Sequence, residues 1–208
     1  VTFVLYNNSA LIRNITNYTG PTTSGIRTVN FTGLSDQIYY FNATVVDNVT
    51  RINYTITRQI TLDSTFATLN HQGASVANDT YISTSSSNWT YVNFSVTETN
   101  AANITFTIYN SSTMTGTNLV NTSFYTTDNL ANTSLNFTNL VFNLPYYFNA
   151  TVTDLANNRN ASVVRLITFD SIVAILDHQG ATYVNNSFVS FNWTYVNFSV
   201  TETNVANI

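Results

Sequence analysis

The chain has no cysteine and no lysine, and few charges of either sign. Without cysteine there is no disulfide, no thiolate metal site and no thiol nucleophile. Without lysine there is no lysine-to-asparagine isopeptide crosslink, so stiffness has to come from packing, sugars or metal. Charged residues make up 8% of the 208 positions, and the net charge is −4. Nucleic acid demands a basic stripe, so that class of partner is excluded. The longest apolar run lies near Ile172 to Leu176, far short of the roughly 20 residues of a membrane helix, and no membrane span is expected. No signal peptide leads the chain; Val1 stands inside a strand pattern, which implies a processed or truncated N-terminus.

What the chain does have is an internal copy. The thirteen residues from Asn88 to Asn100, NWTYVNFSVTETN, return unchanged as Asn192 to Asn204. YYFNATV at Tyr39 to Val45 returns at Tyr146 to Val152, and HQGA at His71 to Ala74 returns at His178 to Ala181. The period is therefore about 104 to 107 residues, too long for a solenoid repeat and suited to one β-sandwich domain of roughly 100. Three units follow: 1–63, the C-terminal part of a sandwich; 64–170, a complete sandwich; and 171–208, the N-terminal strands of a further one.

Apolar residues alternate in short runs separated by turn residues, and no stretch carries a helical period. Strands are expected near 64–70, 80–84, 90–98, 103–110, 116–125, 132–138, 145–153 and 160–169, in two packed antiparallel sheets. Val92, Phe94 and Val96 face inward in one strand, Ile104, Phe106 and Ile108 in the next, and Tyr146, Phe148, Ala150 and Val152 in a third. Asn88 and Thr90 share the parity of those core residues, so a bulge near Tyr91, or a strand that enters the sandwich only after it, is expected. Tyr146 sits six residues after Leu140; the first copy has Leu34 six residues before Tyr40 but five before the aligned Tyr39. This spacing resembles the immunoglobulin-like and fibronectin type III superfamily, in which a tyrosine at the start of one strand turns its hydroxyl back onto the preceding corner. The tandem copies, VTDLANN at Val152 to Asn158 and the ITLDS and ITFDS linkers at Ile60 and Ile167 also resemble the Ig-like repeats of archaeal cell-surface and filament glycoproteins. The resemblance implies an all-β fold of tandem Ig-like sandwiches, one complete domain flanked by two half domains, and an extracellular module with no particular activity.

Asparagine sequons are the sharpest chemical signal. Twenty Asn-x-Ser/Thr triplets occur, at Asn7, Asn14, Asn17, Asn30, Asn42, Asn48, Asn53, Asn78, Asn88, Asn93, Asn103, Asn110, Asn121, Asn132, Asn136, Asn149, Asn160, Asn185, Asn192 and Asn197. A strand face written in Asn, Ser and Thr would also produce the reversed triplet, yet Ser/Thr-x-Asn occurs six times. Random order at this composition gives about nine of either kind. Only the direction that an oligosaccharyltransferase reads is enriched. Alternation puts the Asn and the hydroxyl residue of a strand sequon on the same outward face, as in Asn93 with Ser95, Asn103 with Thr105 and Asn149 with Thr151. N-linked glycans on those faces, and on edge strands, would supply solubility and block lateral pairing of sheets in a chain that is 14% aromatic.

Other polar residues admit two readings each. Glu98 or Glu202, Asp154 or Asp47, and Asp63 or Asp170 are expected at the apex where repeats meet. Converging carboxylates there would suit Ca²⁺; alternatively they cap turns or pair with Arg58 and Arg165. Those arginines share the parity of core residues, and the reading is a stem on the core with the head in water. His71 and His178 belong to HQGA turns and are expected to expose their rings. Tyr91 and Tyr147 point outward, where they can stack on sugars or a neighbouring fibre. No nucleophile elbow is present, and no catalytic residue or cofactor is assigned.

Val1 and Ile208 both align with Ile104, so the chain opens on the fourth strand of one sandwich and stops before the fourth of another. Either the polypeptide continues, or the tail of one copy is completed by the head of the next; both give head-to-tail, linear self-assembly. The expected function is that of a structural, heavily N-glycosylated repeat in an extracellular filament, stalk or surface layer. An adhesin or carbohydrate-binding module and a spacer of a larger secreted enzyme are the alternatives.

Overall fold

A computed structural model describes residues 1–8, 10–16, 25–73, 75–83, 88–126, 132–180 and 182–204, with Asn14, Thr16 and Asn132 in backbone only. The described residues are strands, turns and one 3-10 turn, with no α-helix.

Residues 1–62 form one five-stranded sheet. Its strands are β1 (Thr2–Asn7), β2 (Ala10–Thr16), β3 (Gln37–Val46), β4 (Ile52–Tyr54) and β5 (Arg58–Leu62). The order is β2-β1-β3-β4, with β5 also on β3, and every pair is antiparallel. Among its described residues, Leu5 and Tyr39 are the only apolar side chains that are buried.

Residues 64–170 form two facing sheets. β6 (Thr68–His71), β8 (Thr90–Thr97) and β11 (Asn132–Phe137) make a three-stranded sheet in the order β11-β8-β6. β7 (Thr80–Ser83), β9 (Ala101–Tyr109), β10 (Leu119–Thr126), β12 (Pro145–Asp154), β13 (Arg159–Ala161) and β14 (Arg165–Asp170) make a six-stranded one in the order β10-β9-β12-β14-β7, with β13 also on β12. Inward residues of both sheets fuse into one core. Val92, Phe94 and Phe137 come from the smaller sheet, and Ile104, Phe106, Ile108, Tyr146, Phe148, Val152, Ile167 and Phe169 from the larger. Phe94 and Phe106 meet edge to face across the two layers, ring centroids 5.5 Å apart. The tail adds one hairpin, β15 (Ile175–His178) on β16 (Phe198–Thr201).

Several expectations are corrected. No bulge interrupts β8 at Tyr91: its register with β11 runs unbroken from Ser95 to Thr90, and Thr90 is buried at 1% exposure. The two-residue period simply starts two residues earlier, at Thr90, with a hydroxyl in the core. The strand expected at 160–169 is two strands, because Ser162 turns inward and its hydroxyl, not a neighbouring strand, takes the Ala150 N–H at 3.0 Å. The strand expected at 116–125 begins at Leu119, after a 3-10 turn over Gly116–Asn118. The sheets are not wholly antiparallel, since β7 runs parallel to β14. The chain crosses between layers after β6, so its next strand meets the far sheet in the same direction as β14.

The tyrosine corner forms in both copies. Tyr146 Oη donates to the Val141 carbonyl at 3.1 Å and accepts from the Val141 N–H at 2.7 Å. Tyr39 Oη donates to the Ser35 carbonyl at 3.1 Å. It is the aligned Tyr39, not Tyr40, that fills the corner; the shorter turn moves its partner one residue closer in sequence.

Candidate functional site: outer faces and repeat junctions

Sheet alternation puts Asn93 and Asn136 on the outer face of the smaller sheet and Asn103 and Asn149 on that of the larger, whereas Asn121 and Asn160 stand opposite the core residues Ile108 and Val152. On the larger sheet, Asn149 is opposite Thr107 and Asn103 opposite Thr153. On the smaller, Asn93 is opposite Ser134, Asn136 opposite Tyr91 and Asn132 opposite Ser95. Asn17 lies outside the described residues, as do the side chains of Asn14 and Asn132. None of the other sequon asparagines is buried: Asn7, Asn42, Asn93, Asn103 and Asn149 are half-buried and the rest exposed.

Hydrogen bonds divide these asparagines. Asn160 Nδ2 donates to the Ala67 carbonyl at 2.7 Å and its partner Ser162 serves Ala150, so this sequon has a structural task at both ends. Asn7 Nδ2 donates to Gln37 Oε1 at 2.6 Å, and Asn42 Nδ2 to Thr57 Oγ1 at 3.2 Å. Among the described residues, Asn53, Asn78, Asn121 and Asn149 engage only the amide oxygen, leaving the nitrogen that would carry a sugar unoccupied. Asn30, Asn48, Asn88, Asn110, Asn136, Asn185, Asn192 and Asn197 are exposed and make no side-chain hydrogen bond among the described residues. Thr90, the hydroxyl residue of the Asn88 sequon, is buried with its Oγ1 unpartnered among the described residues, a cost of about 1–3 kcal/mol that valine would not incur.

The junction acids are brought together only in part, and most of their oxygens are met by N–H groups, Glu98 Oε2 being buried without a partner among the described residues. Asp63 Oδ1 accepts from the Thr65 N–H at 3.1 Å and Oδ2 from Asn100 Nδ2 at 2.6 Å. Asp170 repeats this with the Ile172 N–H and Asn204 Nδ2, each at 2.9 Å. Buried Asp154 takes the Ala156 and Asn158 N–H groups, both at 2.8 Å, and Asn158 Nδ2. Glu98 Oε1 caps the Asn100 N–H at 3.0 Å, and Glu202 Oε1 caps Thr203 and Asn204. Among the described residues no three carboxylate or histidine side chains form a group that could hold a metal ion.

Sequence reading missed the asparagines and serines that make the joints. Asn158 Nδ2 also donates to the Asp63 carbonyl at 2.9 Å, tying β12 to the linker. Ser64 donates through its N–H (2.9 Å) and Oγ (2.8 Å) to Asp36, whose carboxyl is held below the usual range chiefly by the backbone bond. Ser171 makes the same backbone contact with Asn143, at 2.9 Å. Recurrence was the available signal: Asp36 aligns with Asn143, Ser64 with Ser171, and Asn100 with Asn204.

The basic and aromatic residues also differ from expectation. Arg165 pairs with no acid among the described residues; it is half-buried, its Nη1 donates to the Val76 carbonyl at 2.6 Å, and burial lowers its pKa. Arg58, its counterpart, is exposed. The described ion pair is Arg51 with Asp47, at 2.6 Å. His71 does not expose its ring. It leans on Phe94 at 4.2 Å, Nε2 meets the Val163 carbonyl at 3.2 Å, and burial pushes its pKa down. His178 is exposed. No family model and no curated protein matches this sequence.

Proposed function

We propose that the chain is a structural, N-glycosylated repeat of an extracellular filament, stalk or surface layer, built from Ig-like sandwiches joined end to end, covalently or by strand completion. The observation that carries the reading is the pair Asn88 and Thr90. Asn88 is exposed with a free amide, while Thr90 occupies a core position where its hydroxyl finds no partner among the described residues. Packing would select valine there; a glycosylation acceptor requires serine or threonine. The same NWT triplet recurs at Asn192. The excess of twenty forward over six reversed triplets supports the same conclusion.

The Ig-like assignment is supported by the strand order, by the parallel pairing of β7 with β14 and by the tyrosine corner in two copies. Sugars on both outer faces keep an apolar, weakly charged module soluble and shield its edges. We assign no catalytic step. Site-resolved mass spectrometry of the native protein tests the reading. Sugar is expected on Asn48, Asn88 and Asn136, with low occupancy at Asn160; unmodified asparagine at all of these sites overturns it.

A further inference from the structure

Residues 1–62 present an open apolar groove of about 780 Å³, lined by Phe3, Leu5, Phe41, Ala43, Ile60 and Leu62. Residues 171–204 present exposed Leu176, Val196 and Phe198. The duplication says what covers such faces. Phe106, Ile108, Phe148, Ala150, Ile167 and Phe169 are the counterparts of the six groove residues, and they are buried under Val92, Phe94 and Val96. The counterparts of those three covering residues are Val196, Phe198 and Val200.

We propose that the groove of residues 1–62 is the docking site for residues 171–204 of a second copy of this chain. The inference rests on the end-to-end joining above and specifies the surfaces and register that make it.

The tail is already shaped as the cover. β15 pairs β16 with His178 opposite Phe198 and Leu176 opposite Val200, the register in which β6 pairs β8 through His71 with Phe94 and Leu69 with Val96. Three further bonds recur. Gln179 Nε2 donates to Ser199 Oγ at 2.9 Å, as Gln72 does to Ser95 at 2.8 Å. The Gln179 N–H donates to the Asn197 carbonyl at 2.8 Å, as Gln72 does to Asn93 at 2.9 Å. Thr182 Oγ1 donates to the Asn197 carbonyl at 2.5 Å, as Ser75 does to Asn93 at 2.6 Å.

The receiving sheet is equally prepared. Among the described residues β5 pairs only with β3, so one edge of it is open to strand addition. By analogy with β7 on β14, residues 187–190 of the second copy lie parallel to that edge, Ser187 opposite Ile60 and Phe188 opposite Thr61. Exposed Arg58 then finds the Tyr183 carbonyl, as Arg165 finds that of Val76. Residues 26–31 match β11 in sequence pattern but form no strand. They line the groove instead, placed to pair with docked β16.

Light scattering of the recombinant 208-residue chain tests this. Masses rising with concentration in multiples of 23.1 kDa are expected. Ile60→Asp and Phe198→Asp should each weaken association at least a hundredfold, with the melting of residues 64–170 unchanged. Mixing the two variants restores one interface and gives a species of twice 23.1 kDa and no larger. A chain that stays at 23.1 kDa, or assembly that neither variant weakens, overturns the proposal. Against the cysteine-free background, Thr61→Cys with Phe188→Cys should link chains under oxidation. An intrachain link, or preferential linking of Thr61→Cys with Val189→Cys, also overturns it. Sugar on the native protein together with a recombinant chain that stays monomeric defeats this inference alone; a recombinant chain that polymerises together with unmodified sequons in the native protein defeats the glycoprotein reading alone.

Discussion

Residues 1–62 and 101–170 are related copies whose strands pair in the same order, yet only the second buries its inner face. Phe148 is 0% exposed and its counterpart Phe41 is 36%; Ile167 is 0% and Ile60 is 45%. The residues are not the difference, since aromatic matches aromatic and isoleucine matches isoleucine. The opposing layer is the difference: β6, β8 and β11 cover one sheet, and nothing among the described residues does the same for the other. Alternation thus specifies which side chains can be buried, and only the second layer buries them.

The largest expected effect breaks this comparison at the core. Phe94→Ala should destabilise residues 64–170 by about 3–5 kcal/mol in denaturant unfolding. The aligned Phe198→Ala should change the dilute monomer by less than about 0.5 kcal/mol, as surface substitutions do. Equal losses would mean that the tail packs as the middle unit does. Next come the corners. Tyr146→Phe strands both polar groups of Val141 and should cost about 1–2 kcal/mol, whereas Tyr39→Phe, which frees the carbonyl of exposed Ser35 and the Gln37 amide, groups that water reaches more easily, should cost about half that.

Thr90→Val sharpens the contrast between packing and modification. It should raise stability by about 1 kcal/mol by removing the unpartnered hydroxyl, and it should abolish sugar on Asn88. A destabilised variant would show that the hydroxyl has a structural partner. The smallest effect is on pH dependence. His71 has a folded pKa below its ordinary 6.5, so the unfolded chain binds the proton more readily. Its contribution is neutral above about pH 6.5; stability is lost as pH falls from there through the depressed folded value. His71→Gln should flatten that part of the curve measured by thermal melts.

Much of the fold was legible because it depends on local alternation. Val92, Phe94 and Val96, and Tyr146 through Val152, were assigned to the core by their two-residue period. Thr90 was misread because hydroxyl residues on this chain usually mark the outer face. Asn160 was read as a glycan acceptor like its neighbours; its amide bond to Ala67 joins residues 93 positions apart and leaves no trace in the local pattern. Asn100 and Asn158 went unassigned for the same reason, and Arg165 was given water or a carboxylate when a carbonyl on β6's outgoing segment was the partner. Long-range polar contacts are set by how layers meet, which periodicity does not encode.

Amide hydrogen exchange of the 208-residue chain tests the dependence of burial on the second layer most directly. In dilute solution, β8, β9 and β12 should exchange slowly, and β5, with its free edge, quickly. As concentration rises, β5, residues 26–31 and β16 should gain protection together. Protection of β5 equal to that of β14 in the dilute monomer, or protection unchanged by concentration, would contradict the account.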